Sequence, residues 1–475
     1  MNASPLALSG PFFFFAAALS IAALAYLLHR WPALSGLVSA AGSLFLGWIA
    51  LQLLLKQPVS VFGRALLLGH SLEIFGREWV LTTPATAILA FIFALSGLAF
   101  LLALPASQGW AFYPFGMGVL GVLTLAVTAQ QYLYLLLFLW LAANLAVFVL
   151  SGGRPGATMG AFRFLALTTL AVMPLSLASH FIEIEANAAL LRTASVLNII
   201  GFSILLMLPP FHGQLVAAAA HAAPMTLTLI LTAFSPLILY AFFLLGQAHP
   251  PWLEDGFMFD LCRWMGVGAV MLGGIAAVGQ RRWGSLVGYA ALVDWGAGLI
   301  AIGQGTQAGL SQAAQMIVWR AFALLLVGGG LVVLFRAAGK KDDLAQCQGL
   351  LYRRPLNVLA LTLGLLSLAG FPLTPGAIGR WPLIFGLLES DPKTAWILIL
   401  ASGGVAAGAV SGLLACLGAP KQAVGSETGY RRLRVVIDLG FGLGALWLVG
   451  RLFLSAPLWI EIIQRALTGF SFLPG

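Results

Sequence analysis

Leu208-Pro209-Pro210-Phe211-His212-Gly213-Gln214-Leu215, followed by an alanine run to His221 and by Ala223-Pro224, interrupts a chain whose neighbouring segments are apolar enough to span a bilayer. Two successive prolines cannot continue a helix, because each lacks an N–H and its ring clashes with the preceding turn. The backbone is therefore expected to break at or near membrane depth, where freed polar groups survive only if protein or a water-filled cavity satisfies them. His212 and His221 beside the break are ion-path candidates on that ground. The plainer alternative is a helix–helix turn with a capping histidine at the membrane surface. Pro236, after Ser235, is expected to interrupt the next helix as well.

Working outward, composition sets the class. The chain is 61% hydrophobic and 8% charged, with a mean hydropathy of +1.00, which describes an all-α polytopic membrane protein embedded in the lipid bilayer. A span needs about 20 apolar residues, and fourteen such segments can be placed, centred near residues 20, 45, 92, 118, 141, 171, 199, 230, 271, 294, 323, 372, 405 and 443. The first, Pro11 to Leu28, has no Lys or Arg before it and reads as a span rather than a signal peptide. The longest polar stretches, about 56–80 and 338–354, read as surface loops. Cys262, Cys347 and Cys416 show no CxxC spacing for zinc or an iron–sulfur cluster, so no metal site, redox centre or other cofactor is expected on this chain.

The net charge of +9 could point to nucleic acid, but the placement of the charges argues against it. Of the 24 basic residues, fourteen fall in loops after odd-numbered spans, Arg281, Arg282, Arg353, Arg354, Arg431 and Arg432 among them. Acidic residues such as Glu254, Asp255 and Asp391 fall in loops after even-numbered spans. By the positive-inside rule the odd loops are cytoplasmic and both termini face outward; the expected location is the inner (cytoplasmic) membrane.

A second break is expected at Phe371-Pro372-Leu373-Thr374-Pro375-Gly376-Ala377-Ile378-Gly379-Arg380-Trp381. The two breaks lie in spans seven and twelve. If spans four to eight and nine to thirteen are repeats, the breaks correspond and the odd repeat length inverts the second copy, which is the pattern of a transporter fold with its pathway between the halves. The expected division is an N-terminal unit at 1–105, repeats at 106–250 and 251–420, and a last span with its tail at 421–475. The polar side chains that stand out in spans are His212, His221, Asp294, Arg320 and Arg380. A charge at mid-membrane costs about 2.5–3.5 kcal/mol on insertion scales, so Asp294 should face the interior, with Arg320 or Arg380 as its partner. A purely structural clamp and a part in an ion path fit this reading equally.

These stretches resemble the antiporter-like membrane subunits of respiratory complex I, of membrane-bound hydrogenases and of multi-subunit cation/proton antiporters. Pro210-Phe211-His212 with Ala223-Pro224, Gln280-Arg281-Arg282 through Gly288-Tyr289, and Ser367-Leu368-Ala369-Gly370-Phe371-Pro372 through Arg380-Trp381 are similar to three of that family's motifs, in order. The resemblance implies fourteen spans, other membrane subunits as partners, and a proton path carried in the family by a glutamate on span five and lysines on spans seven and eight. Here those positions fall at Leu141, Leu205 and near Leu237. The family's span-ten and span-eleven histidine positions hold Asp294 and Trp319, and only span twelve keeps a basic charge, as Arg380. Leucine cannot titrate and arginine stays protonated in proteins, so the usual relay is expected to be cut in the first half.

The function expected from this is a membrane-arm subunit of a complex I-like or hydrogenase-type energy-converting oxidoreductase (NADH- or ferredoxin-driven), with proton translocation impaired or altered. An ion-coupled carrier subunit for bicarbonate, CO2 or a cation, acting with a soluble partner, is the alternative. The sequence holds no Ser–His–Asp set, metal cluster or nucleotide loop, so no active site of its own is expected.

Overall fold

The computed structural model describes residues 6–470 except 59, 62–63, 75, 153–156, 185–186, 338–342, 419–438, 441, 445, 448–449, 452–453 and 469. Its helices are α1 (Gly10–Leu27), α2 (Pro32–Leu54), α3 (Thr83–Ala103), α4 (Phe112–Thr128), α5 (Tyr132–Ser151), α6 (Ala157–Ile184), α7 (Ala188–Leu205), α8 (Gly213–His221), α9 (Pro224–Ala248), α10 (Phe257–Val278), α11 (Trp283–Ile302), α12 (Gln307–Ala337), α13 (Leu350–Arg353), α14 (Pro355–Leu368), α15 (Pro375–Ser390), α16 (Pro392–Leu417) and α17 (Ala456–Leu467). Among the described residues, eleven are long and apolar enough to cross a bilayer, and α4 and α14 are shorter apolar helices. The expected last span, near residue 443, lies partly outside the described residues, and Arg431 and Arg432 lie wholly outside them.

Helix starts follow from local chemistry. Proline occupies the first turn of α3, α9, α14, α15 and α16, where its missing N–H costs nothing. The Asn187 side chain accepts from the Leu190 N–H at 2.9 Å to cap α7, and the Thr82 hydroxyl accepts from the Ala85 N–H at 3.3 Å to cap α3.

Burial separates a centre from a rim. The most apolar stretch of α12 is 100% buried and that of α11 89%, against 28% for α1 and 33% for α16. A helix apolar on all sides that is also buried on all sides belongs at a core, so α11 and α12 form the axis, and α1, α6 and α16 lie at the rim with most of their apolar surface outside the bundle. Small residues bring α10 onto that axis: a Cβ on Gly266 would lie 2.6 Å from the Gly296 carbonyl oxygen, an approach that only glycine permits. Trp459 of α17 rests its ring against Phe91 of α3 and Phe322 of α12, at 6.4 and 5.8 Å between centroids.

Two expectations are corrected. The stretch read as a loop at 56–80 contains strands, β2 (Ser60–Val61), β3 (Arg64–Gly69), β4 (Ser71–Ile74) and β5 (Arg77–Val80), and β3 pairs in parallel with β1 (Leu6–Ser9). Gly76, at φ +70, lies in the turn between β4 and β5, a conformation glycine adopts without strain. Trp79 on β5 packs on Tyr134 and Phe138 of α5 at 6.0 and 6.3 Å. The fold is therefore a helical bundle with a small β cap. Pro236 does not interrupt its helix either: α9 runs through it from Pro224 to Ala248. Pro236 removes one backbone donor, and within the preceding turn the Ser235 hydroxyl bonds the Leu231 carbonyl, one way in which a proline inside a spanning helix is accommodated.

Candidate functional site

Both broken segments close on the same axis. The first helix of each pair ends in the same cap. In α7 the Leu208 N–H reaches back to the Ser203 carbonyl at 2.8 Å, with Met207 at φ +56. In α14 the Phe371 N–H reaches the Leu366 carbonyl at 2.9 Å, with Gly370 at φ +69. This six-to-one bond around a left-handed residue is the Schellman termination. The chain re-enters a helix through bonds that also match, Phe211 to Leu208 and Thr374 to Phe371. Each corresponding pair (207 and 370, 208 and 371, 211 and 374) is 163 residues apart, an offset that also places Pro372 on Pro209.

The first re-entry, α8, lies along α11. A Cβ on Gly284 would sit 2.3 Å from the Ala219 carbonyl oxygen, and one on Gly288 would sit 2.9 Å from the Val216 Cα. The alanine run of α8 thus serves close backbone packing. His212 precedes α8 with its Nδ1 buried and unpartnered. His221 ends α8, is exposed, and holds its Nδ1 2.9 Å from the Ala217 carbonyl oxygen.

The second re-entry, α15, brings Arg380 to the axis, where it meets Asp294 of α11 and Arg320 of α12. The three are 1%, 5% and 2% exposed respectively. Arg380 Nη2 donates to Asp294 Oδ1 at 2.9 Å, and Arg320 Nε donates to Asp294 Oδ2, so each carboxylate oxygen is held by one guanidinium. Nη2 of Arg380 also donates to the Leu368 carbonyl at 3.1 Å, and its Nη1 to the Ser402 hydroxyl of α16 at 3.2 Å. The Leu368 carbonyl is one of those that the end of α14 leaves without a helical partner. The broken helix thereby creates the acceptor and the arginine uses it. Arg320 stacks on the Trp295 ring, 3.7 Å from its centroid, which adds a cation–π contact in a desolvated setting. Two guanidinium groups share one carboxylate here, and burial makes such a group expensive to leave unpaired.

Of the five ion-path candidates, the structure brings Asp294, Arg320 and Arg380 together and leaves His212 and His221 outside the cluster. Pro209 and Pro210 lie in the first break and Pro372 in the second, whereas Pro375 begins α15. Leu237 is fully buried and Leu141 is 41% exposed. Trp319, next to Arg320, is buried with its indole N–H unpartnered. Ser402, the Leu368 carbonyl and the Trp295 ring were not anticipated. Trp295 had a signal in its adjacency to Asp294, but nothing marked Ser402 among the small residues of its helix.

Residues 159–405, which contain both breaks and the whole cluster, match the family described as NADH:quinone oxidoreductase/Mrp antiporter, transmembrane. The chain is 31% identical over 307 residues to NADH-quinone oxidoreductase subunit N of Cereibacter sphaeroides, covering 61% of this chain and 64% of that one. It spans between 26% and 64% of the length of the curated relatives it matches. Among solved structures it is similar to a chain of the Mrp complex from Dietzia sp., with a TM-score of 0.77 at 14% identity over 97% of each chain. It is also similar to a chain of respiratory complex I from Thermus thermophilus, with a TM-score of 0.68 at 16% identity over 94% of this chain and 98% of that one. At these identities the structural likeness speaks for the fold.

Proposed function

Because this chain belongs to the NADH:quinone oxidoreductase/Mrp antiporter transmembrane family, we propose that it is an antiporter-like membrane subunit of a multi-subunit energy-converting assembly, and that its central ion cluster is a fixed clamp. Its partners are then other membrane subunits, redox centres reside on those partners, and the assembly sits in the inner membrane with both termini of this chain outward. The matching caps at a constant offset support two inverted halves, spans four to eight and nine to thirteen.

The observation that carries the clamp reading is that both oxygens of Asp294 are taken by arginines. A relay station must gain and lose a proton near neutral pH. Arginine stays protonated in proteins, and its planar fork binds a carboxylate with fixed geometry. By the resemblance, the family's remaining carrier positions hold Leu141, Leu205, Leu237 and Trp319, none of which titrates near neutral pH. Proton translocation through this chain is accordingly impaired or altered, and its contribution to the assembly is largely structural and electrostatic.

The test has two steps. Mass spectrometry of the material that co-purifies in mild detergent should return iron–sulfur, quinone-site and other antiporter-like subunits. In proteoliposomes, the purified assembly carrying Asp294→Asn should keep its wild-type ratio of protons moved to electrons transferred. A lone soluble partner in the eluate would sink the assembly reading, and loss of translocation in an intact Asp294→Asn assembly would sink the clamp.

A further inference from the structure

A pocket at one face of the bundle has charged walls of a single sign. It lies where α2, α9 and α17 end and α3 begins, and holds about 790 Å3, within the range of small-molecule sites. Lys56, His70 and Arg465 line it, and no carboxylate does. All three residues are exposed, so an anion reaches them without displacing protein. Lys56 stands in the left-handed conformation at φ +55, and the Gln57 N–H bonds the Gln52 carbonyl at 2.9 Å, a Schellman cap that fixes where the lysine stem leaves α2. Among the described residues Lys56 has no carboxylate partner. Arg465 donates from Nη2 to Glu461 Oε1 at 2.6 Å, but an exposed pair of this kind is weak and leaves the guanidinium open to a second anion.

An apolar crevice continues from the pocket. It runs between α3, α9, α12 and α17, and Pro84, Tyr240 and Phe470 stand in the walls of both. Phe91, Ile317 and Ile463 line the crevice, and no charged side chain does. Its volume is about 110 Å3. About 10–15 Å3 of such space admits one water-sized group, so the crevice seats several methylenes of one chain.

We propose that pocket and crevice together bind an anionic glycerophospholipid of the surrounding bilayer, its phosphate on Lys56 and Arg465 and one acyl chain entering the crevice. The basic wall selects an anionic head, and position selects a lipid. The pocket lies at the helix ends, the level of the headgroups, and basic pockets between spanning helices recognise such heads. A soluble phosphate would use the pocket and leave the crevice empty. The inference is independent of the assembly reading, since every wall belongs to this chain.

Native mass spectrometry of the full chain in mild detergent tests it, after incubation with an equal mixture of dioleoylphosphatidylglycerol and dioleoylphosphatidylcholine, which differ only in head group. The expected result is one phosphatidylglycerol retained per chain in preference to phosphatidylcholine. Lys56→Gln and Arg465→Gln, both at exposed positions, should each weaken that preference about fivefold. Ala314→Phe, which fills the crevice and leaves the basic wall in place, should lower lipid retention in a protein that keeps its wild-type gel-filtration profile. The two charge variants decide the matter if Ala314→Phe does not fold. Equal retention of the two lipids, a preference that neither charge variant alters, or retention unchanged in Ala314→Phe overturns the proposal. Displacement of the lipid by equimolar inorganic phosphate overturns it too, and would assign the pocket to a soluble anion.

Discussion

The two broken helices share a backbone and differ in chemistry. At the offset of 163 residues, Ser367, Thr374, Gly376, Arg380 and Trp381 of the second break stand opposite Ile204, Phe211, Gly213, Ala217 and Ala218 of the first. In the second, the Ser367 hydroxyl accepts from the Gly376 N–H at 2.9 Å, the Thr374 hydroxyl donates to the Phe371 carbonyl at 2.6 Å, and the Trp381 indole donates to the Gly370 carbonyl at 3.1 Å. In the first, the side chains of Asn198 and Gln214 are buried with both polar atoms unpartnered. The left-handed cap position is Gly370 in one and Met207 in the other. A non-glycine residue there costs about 1–2 kcal/mol, and burial of Met207 at 3% exposure offsets that strain. Two breaks can therefore share a backbone shape, held by packing and caps, while carrying different side chains, so shape alone does not report ion transport.

The sharpest way to test the difference is to unbalance the second break. Asp294→Asn leaves two buried guanidiniums without a counter-charge and should destabilise the detergent-solubilised protein by about 3–5 kcal/mol in equilibrium unfolding. Arg380→Met should cost less, about 1–3 kcal/mol, because Asp294 and Arg320 remain a balanced pair and the loss is confined to orphaned acceptors such as the Leu368 carbonyl. If Arg380→Met proved the more damaging of the two, Arg380 would be the principal counter-ion of Asp294, and the symmetric description would fail.

Glycines at the matching position should respond differently. A Cβ on Gly376 would lie 1.8 Å from the Ser367 carbonyl oxygen, whereas Gly213 has nothing within 4 Å. Gly376→Ala is expected to lose about 1–3 kcal/mol through overpacking, and Gly213→Ala to stay within about 0.5 kcal/mol of wild type. Gln214→Leu should go the other way. Replacing a buried amide that has no partner by an apolar group of similar length is neutral or stabilising, by up to about 1 kcal/mol. A measurable loss in the same equilibrium-unfolding assay would show that Gln214 is engaged and that the first break is not chemically silent.

Much of this was legible in the residues. Paired prolines, apolar flanks and three charges in otherwise apolar spans located both breaks and the pairing of Asp294 with an arginine, because each violates the expectation for a lipid-embedded helix. They did not show that Arg320 and Arg380 would both hold it. What was not legible depended on partners distant in the chain. Pro236 carries the same local signal as Pro209, yet α9 absorbs it within a helix buried on nearly all sides. Ser402 is an ordinary small residue until α16 is laid beside α15. The hairpin at 71–80 alternates weakly, and the packing of Trp79 on α5 accompanies it.

A small effect is expected where an ion pair meets water, and it separates a clamp at the surface from one at the axis. Arg263 of α10 pairs with Asp391, which caps α16 by accepting from Thr394. Their side chains are 39% and 20% exposed. The hydrogen bond from the Thr394 hydroxyl, ahead of that from Arg263, holds the Asp391 carboxyl below its ordinary value. A depressed carboxylate contributes its stability in full above the unfolded value of about 3.9 and loses it as the pH falls through the lower folded value. Unfolding of the wild type should therefore steepen below about pH 4, and Asp391→Asn should flatten that limb, with a difference under about 1 kcal/mol at neutral pH for so exposed a pair. Raising the salt to about 1 M should shrink the Arg263 contribution to this difference, since exposed charges are screened within about 3 Å there, while leaving the cost of Asp294→Asn nearly unchanged. Equal salt sensitivity at both sites would mean that water reaches the axial cluster, and the contrast between a dry clamp and a wet one would fall.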